Sequence, residues 1–185
     1  MHIRPASLDD IPTIQALYAE AIAFQRAGGH PSWRELDPGV VEQDIAARSQ
    51  HAVVLDGQVA GIFSFCPPSA MDREIWDGMA PESARYIHRI IVGRAWKGRQ
   101  LFAPMLAWCE AEALRLGLGR LRLDTWAESA ALIRHYAHFG FRWVGERTTS
   151  ANDALPPPYR GLRLAIMEKP VGAGRLDRPT EVAMP

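Results

Sequence analysis

Apolar residues recur along this chain at two spacings, and the switches between them mark out its elements. Ile11, Ile14, Leu17, Tyr18, Ala21 and Ile22 fall on one face of a 3.6-residue repeat, which predicts a helix reaching about Arg26. Ser7 precedes it as a cap, and Asp9 and Asp10 stand in its first turn, where carboxylates suit the helix dipole. Gly28 to Trp33 reads as a loop and Val40 to Ala47 as a second, shorter helix. Ala52–Leu55 and Val59–Cys66 are apolar runs separated by Asp56-Gly57, the signal of a hairpin with a tight turn. Pro67-Pro68 ends the second run, and residues 69–84 read as an irregular connection.

Ile87–Val92 follows as an apolar strand. A stripe of Phe102, Leu106, Cys109, Ala113 and Leu116 predicts a helix over Gly98–Leu116, stopped by Gly117 and Gly119. Leu121–Trp126 alternates as a strand, Glu128–Phe139 is a helix closed by Gly140, and Phe141–Glu146 and Arg160–Glu168 are the last strands. Leu155–Tyr159 holds three consecutive prolines, so a stiff extended segment is expected there. With a short strand over residues 1–5, this order predicts one mixed α/β domain over residues 1–170. Residues 171–185 lack periodicity and read as a flexible tail.

Composition narrows the function classes. At 185 residues the chain is long enough for one sizeable core, and 48% hydrophobic with 23% charged residues is ordinary for a soluble globular protein. Lysine plus arginine and aspartate plus glutamate number 21 each, so neither nucleic acid nor an anionic membrane is expected as a partner. No stretch approaches the roughly 20 apolar residues of a membrane helix, and the polar start from Arg4 to Asp10 shows no signal peptide. A cytoplasmic location is the default expectation. Cys66 and Cys109 sit in apolar contexts and read as buried free thiols. The histidines show no ligand spacing, so no metal is expected.

Candidate chemistry concentrates between Tyr86 and Gly145. Lys97-Gly98-Arg99 is a basic, glycine-containing turn between an apolar strand and a helix, where backbone N–H groups and the helix dipole favour an anion. The strand Tyr86-Ile87-His88-Arg89-Ile90-Ile91-Val92, that turn, and Ser129-x-x-Leu132-x-x-x-Tyr136-x-x-x-Gly140-Phe141 together resemble the GNAT family of acetyl-CoA-dependent N-acetyltransferases. The resemblance spans roughly residues 2–169. It implies a mixed, mostly antiparallel sheet with a central splayed pair of strands, flanked by helices.

It also implies acetyl-CoA as acyl donor, with the main chain of Ile90, Ile91 and Val92 along the pantetheine arm and Lys97, Gly98, Arg99, Gln100, Leu101 and Phe102 at the pyrophosphate. Gln100 and Phe102 stand where the family usually has small residues. Ser129 is either a pantetheine contact or a helix cap. Tyr136 matches the family's proton donor to the leaving thiolate. For the acceptor's proton, His88 and Asp124 are candidates, with Glu74 and Asp72 as carboxylate alternatives. Strand alternation puts His88 and Arg89 on opposite faces. His30, Trp33, Trp76, Trp126 and Tyr159 are candidates for the acceptor wall. The expected acceptor is a small-molecule or peptide amine, and exposed strand edges are compatible with a homodimer. The departures at Gln100 and Phe102 motivate two other readings: a non-catalytic acyl-CoA-binding module, or a structural domain that has lost the cofactor.

Overall fold

The computed structural model describes residues 1–29, 32–33 and 38–172. Its strands are β1 (His2–Pro5), β2 (Gln50–Leu55), β3 (Gln58–Cys66), β4 (Arg85–Val92), β5 (Arg120–Trp126), β6 (Arg142–Thr148) and β7 (Arg163–Pro170). Its helices are α1 (Ile11–Ala27), α2 (Pro38–Ala46), α3 (Ala70–Ile75), α4 (Phe102–Arg115) and α5 (Ala130–His138). The strands form one sheet in the order β1-β2-β3-β4-β5-β7-β6, antiparallel throughout except for β4 against β5. The expected mixed, mostly antiparallel sheet is therefore present. The Asp56-Gly57 turn takes positive φ at both residues, as that dipeptide allows.

The parallel pair positions the site. β4 pairs with β5 only at Arg85↔Leu121 and Tyr86↔Arg122, then the two strands part. From Ile87 to Val92, the β4 main-chain groups that face away from β3 have no strand partner among the described residues. β7 lies between β5 and β6 in space although it comes last in the chain, an arrangement that local periodicity does not carry.

Helices cover the sheet on both faces. On one face α4 sends Phe102, Met105, Leu106, Cys109 and Ala113 into the main core, and α5 with its C-cap adds Ile133, Tyr136 and Phe139. On the other, α1 and α2 bury Ile14, Leu17 and Val41 over Ile62 and Ile91, while α3 buries Met71 and Ile75 with Trp76 over Tyr86.

Two connections differ from expectation. Residues 69–84 are not irregular throughout. Ser69 Oγ accepts from Asp72 N–H at 3.2 Å while the Asp72 carboxylate accepts from Ser69 N–H at 2.8 Å, a reciprocal cap that starts α3. The proline segment is not fully extended, because Pro157–Tyr159 closes a 3₁₀ turn with Tyr159 N–H donating to Pro156 O at 2.9 Å. The fixed φ of proline suits such a turn as well as an extended run. Of the expected tail, residues 173–185 lie outside the described residues.

Candidate active site

A β-bulge builds the centre of the site. Ser64 of β3 pairs with His88 and Ile62 with Ile91, so β4 carries an extra residue, and Arg89 takes φ +50. This corrects the expected alternation. His88 contacts Asp72 of α3, and Arg89 contacts Asp44 of α2 and Ser64, so both side chains lie on the α1–α3 face. Positive φ is costly for arginine. The ion pair with Asp44 and a 2.8 Å bond to Ser64 Oγ hold the conformation.

His88 bridges two carboxylates. Its Nε2 lies 3.1 Å from Asp72 Oδ2 and its Nδ1 3.2 Å from Asp124 Oδ1. Burial pushes the imidazole's pKa down, but the Asp72 charge and both carboxylate contacts outweigh it, and the pKa ends well above the usual histidine value. The two carboxylates favour the imidazolium form, which has no lone pair to take a proton, and this weighs against the expected role of His88 as base. Asp72 is completely buried; burial opposes its charge, but the imidazolium and the Ser69 bonds hold its pKa below the usual carboxylate value. The three side chains also have the proximity of a cation cluster. The Nε2 contact to Asp72 is a hydrogen bond, whereas the Nδ1 contact to Asp124 is an ion-pair distance without hydrogen-bond geometry, so the cluster reads as a charge-paired array.

Glu74 is a structural carboxylate that accepts from the Ser150 backbone and hydroxyl. That leaves Asp124, partly exposed where β4 and β5 part, as the carboxylate open to the gap.

Tyr136 reaches the gap from the other face. It packs against Phe102 at 5.5 Å and Phe141 at 6.1 Å between ring centroids. Burial and then the Asp124 charge push its phenol pKa up, so the hydroxyl keeps its proton and lies within electrostatic range of Asp124. Among the described residues its hydroxyl bonds to no protein group.

The donor turn is built from backbone. Gly98 has φ +84 and Gln100 φ +53, and among the described residues the N–H groups of Gly98, Gln100, Leu101 and Phe102 donate to no protein acceptor. They precede or open α4, whose N-terminus favours an anion. Gln100 thus adopts the left-handed conformation that a glycine would take more cheaply. The Phe102 side chain is not at the turn. It is buried among His135, Tyr136 and Phe139, which leaves its N–H as the group it can offer a ligand there. Leu101 is likewise buried. Arg99 is exposed, while Lys97 and Arg94 flank the Phe24 ring on α1. The free N–H groups, the adjacent cations and the unpaired β4 edge fit coenzyme A. Ser129 Oγ accepts from Leu132 N–H at 3.4 Å and caps α5.

Of the expected acceptor wall, His30 lies outside the described residues. Trp33 packs on Tyr18 at 5.4 Å. The buried Tyr18 hydroxyl, without a hydrogen-bond partner among the described residues, has its pKa pushed up by burial and feels the charges of Arg89 and His88 and the nearby Tyr159, which joins α1 to the centre. Trp126 and Tyr159 are half-buried on the α3 side. Trp76 is 1% exposed under Arg122, whose guanidinium lies 4.3 Å from the indole centroid; it is core, and its place in the wall is corrected. Sequence reasoning missed Tyr18, Asp44 and the Arg89 clamp. The Ser69-x-x-Asp72 capping spacing was a readable signal for Asp72.

Residues 14–141 match the model of the acetyltransferase (GNAT) family. The chain belongs to that family. It is an N-acetyltransferase, and acetyl-CoA is its acyl donor. It is 31% identical over 146 residues to the uncharacterized N-acetyltransferase YesJ of Bacillus subtilis (strain 168), covering 76% of this chain and 81% of YesJ. A GNAT-family acetyltransferase of Listeria monocytogenes 4b F2365 superposes with a TM-score of 0.75 at 23% identity, covering 92% of this chain and 94% of that one. The yncA protein of Salmonella typhimurium, solved with its cofactor acetyl-CoA, superposes with a TM-score of 0.65 at 20% identity, covering 97% and 99%. Both structural likenesses bear on the fold. Among the described residues no helix is long and apolar enough to cross a membrane.

The donor turn carries its own prediction. Acetyl-CoA should raise the melting temperature, because it binds the native state alone. Lys97→Ala with Arg99→Ala should shrink that rise and its salt dependence. Calorimetric affinity for coenzyme A that is unchanged in the double variant would show that this turn does not hold the phosphates.

Proposed function

We propose that this N-acetyltransferase acetylates a primary amine by direct attack on the acetyl-CoA thioester, with Asp124 and Tyr136 working from opposite faces of the β4–β5 gap. The observation that carries this reading is the position of Asp124. It is the carboxylate open to the gap, with its Oδ1 3.2 Å from His88 Nδ1. Asp124 binds the acceptor's ammonium and takes a proton from it. The amine lone pair then forms the new C–N bond at the thioester carbonyl. Unpaired N–H groups along β4 polarise the carbonyl oxygen, where charge develops. As the C–S bond breaks, the thiolate takes the Tyr136 proton. The second proton on nitrogen passes through solvent and restores the phenol, and Asp124 releases the first to solvent, so the cycle yields amide, coenzyme A thiol and one proton.

Asp72, His88 and Asp124 sum to one negative charge, and Arg89 with Asp44 to zero, so the centre favours a cationic acceptor. Trp33, Trp126 and Tyr159 supply apolar walls suited to a small amine or the end of a peptide. The test is release of free coenzyme A thiol across a panel of small amines, amino acids and peptide N-termini. Coenzyme A binding without turnover on any member would overturn the reading in favour of a binding module.

Tyr136→Phe keeps the ring and its packing and removes the hydroxyl. A thiolate needs less help in leaving than an alkoxide, so turnover on the best amine should fall by about 10²-fold, the low end for general acid catalysis. Melting temperature and acetyl-CoA affinity should stay near wild type. Wild-type turnover would leave solvent as the proton donor.

A further inference from the structure

A cavity of about 390 Å³ lies under the C-terminal half of α4. It is remote from the donor turn. The turn meets α4 at Phe102, and the cavity is lined from Trp108 to Leu116. The 14 residues of α4 span about 20 Å at ~1.5 Å per residue. None of the residues assigned above to the donor or acceptor sites lines it.

Its walls have a definite chemistry. Trp108 and His51 meet at 4.5 Å between ring centroids, with Phe65 5.6 Å from Trp108, and so present aromatic surface. Around them stand Arg48, Arg85 and Arg115 against the single carboxylate of Glu112. In a chain whose formal charges cancel, that is a local excess of two positive charges. Glu112 is already bonded to Arg115 at 2.8 Å. Among the described residues the side chains of Arg48 and Arg85 make no hydrogen bond or ion pair. His51 Nδ1 lies 2.9 Å from the Ser49 carbonyl, which can only accept, so Nδ1 carries the hydrogen and Nε2 is left as an acceptor without a partner among the described residues. Burial lowers the His51 pKa, which keeps the ring neutral and Nε2 an acceptor. The Trp108 indole N–H also donates to no protein group among the described residues.

We propose that this cavity is a binding site for a small planar aromatic carboxylate, distinct from the donor and acceptor sites. The carboxylate pairs with Arg48 and Arg85, where a guanidinium fork gives strong, directional hydrogen bonds. The ring lies against Trp108 and His51, and a ring hydroxyl can donate to His51 Nε2. Inorganic anions would leave most of the volume and the aromatic surface unfilled.

The test is isothermal titration of the full chain, saturated with coenzyme A, using 4-hydroxybenzoate as probe. One-to-one saturable binding is expected. It should weaken about tenfold or more in Arg48→Gln with Arg85→Gln. Two comparison probes, cyclohexanecarboxylate without the ring and 4-methylphenol without the carboxylate, should each bind more weakly. Both variant positions are at least partly open to solvent, so the variant should keep its melting temperature, its coenzyme A affinity and its thioester turnover. No saturable binding, binding unchanged in the double variant, or competition with coenzyme A or the acceptor amine would each overturn the proposal.

Discussion

Asp124→Asn is expected to lower kcat/KM for the acceptor amine by about 10³-fold, within the range for general acid–base catalysis, while acetyl-CoA affinity stays near wild type. The substitution keeps the shape of the side chain but removes the carboxylate proposed to bind the ammonium and take its proton. It also leaves the His88 imidazolium, 3.2 Å away, without its second carboxylate, so a positive charge then faces the incoming ammonium. Loss should therefore appear in both kcat and KM for the amine. Steady-state kinetics over a pH series provides the check. Because a free amine needs no base, the deficit should narrow as pH rises toward the acceptor's own pKa. A kcat/KM within about fivefold of wild type at neutral pH would remove Asp124 from the reaction.

The same neighbourhood shows how much of the site the sequence could carry. The helical stripe of α4, the Asp56-Gly57 hairpin and the run of elements from β4 to β6 are local patterns, and they give the layers and the donor turn. The splay of β4 from β5 came from family resemblance rather than from any periodicity. Two facts that decide the chemistry were hidden because they are non-local. The bulge at Arg89 is stabilised by Asp44, 45 residues earlier, and it turns His88 and Arg89 to one face where strict alternation separates them. The state of His88 depends on Asp72 and Asp124, 16 residues before it and 36 after. A histidine read alone near its ordinary pKa is a reasonable base, and between two carboxylates it favours the protonated form, which is a poorer one. Trp76 failed in the opposite direction. It stands in a polar stretch of sequence, yet the reciprocal cap of α3 and the Arg122 guanidinium fold it into the core.

Asp72→Asn should be the most damaging single change to stability in the site. Asp72 is completely buried, and its Oδ2 serves Ser69 N–H, Ser69 Oγ–H and His88 Nε2 together. Removing one partner of a buried pair leaves the other uncompensated, which costs about 3 kcal/mol. For a domain of this size the melting temperature should fall by about 6–12 °C. The pH dependence distinguishes loss of charge from loss of packing. Asp72 has a depressed pKa, so its contribution is present above the unfolded value of about 3.9 and is lost as pH falls through the lower folded value. His88 has a raised pKa, so its contribution is complete below about 6.5 and is lost as pH rises through the higher folded value. The gap between wild type and variant should therefore be widest near about pH 5.5 and should narrow on both sides. Thermal unfolding from acid to alkaline pH measures it directly. A gap that stays constant across that range would mean that Asp72 acts through the α3 cap alone and that the imidazolium draws nothing from it.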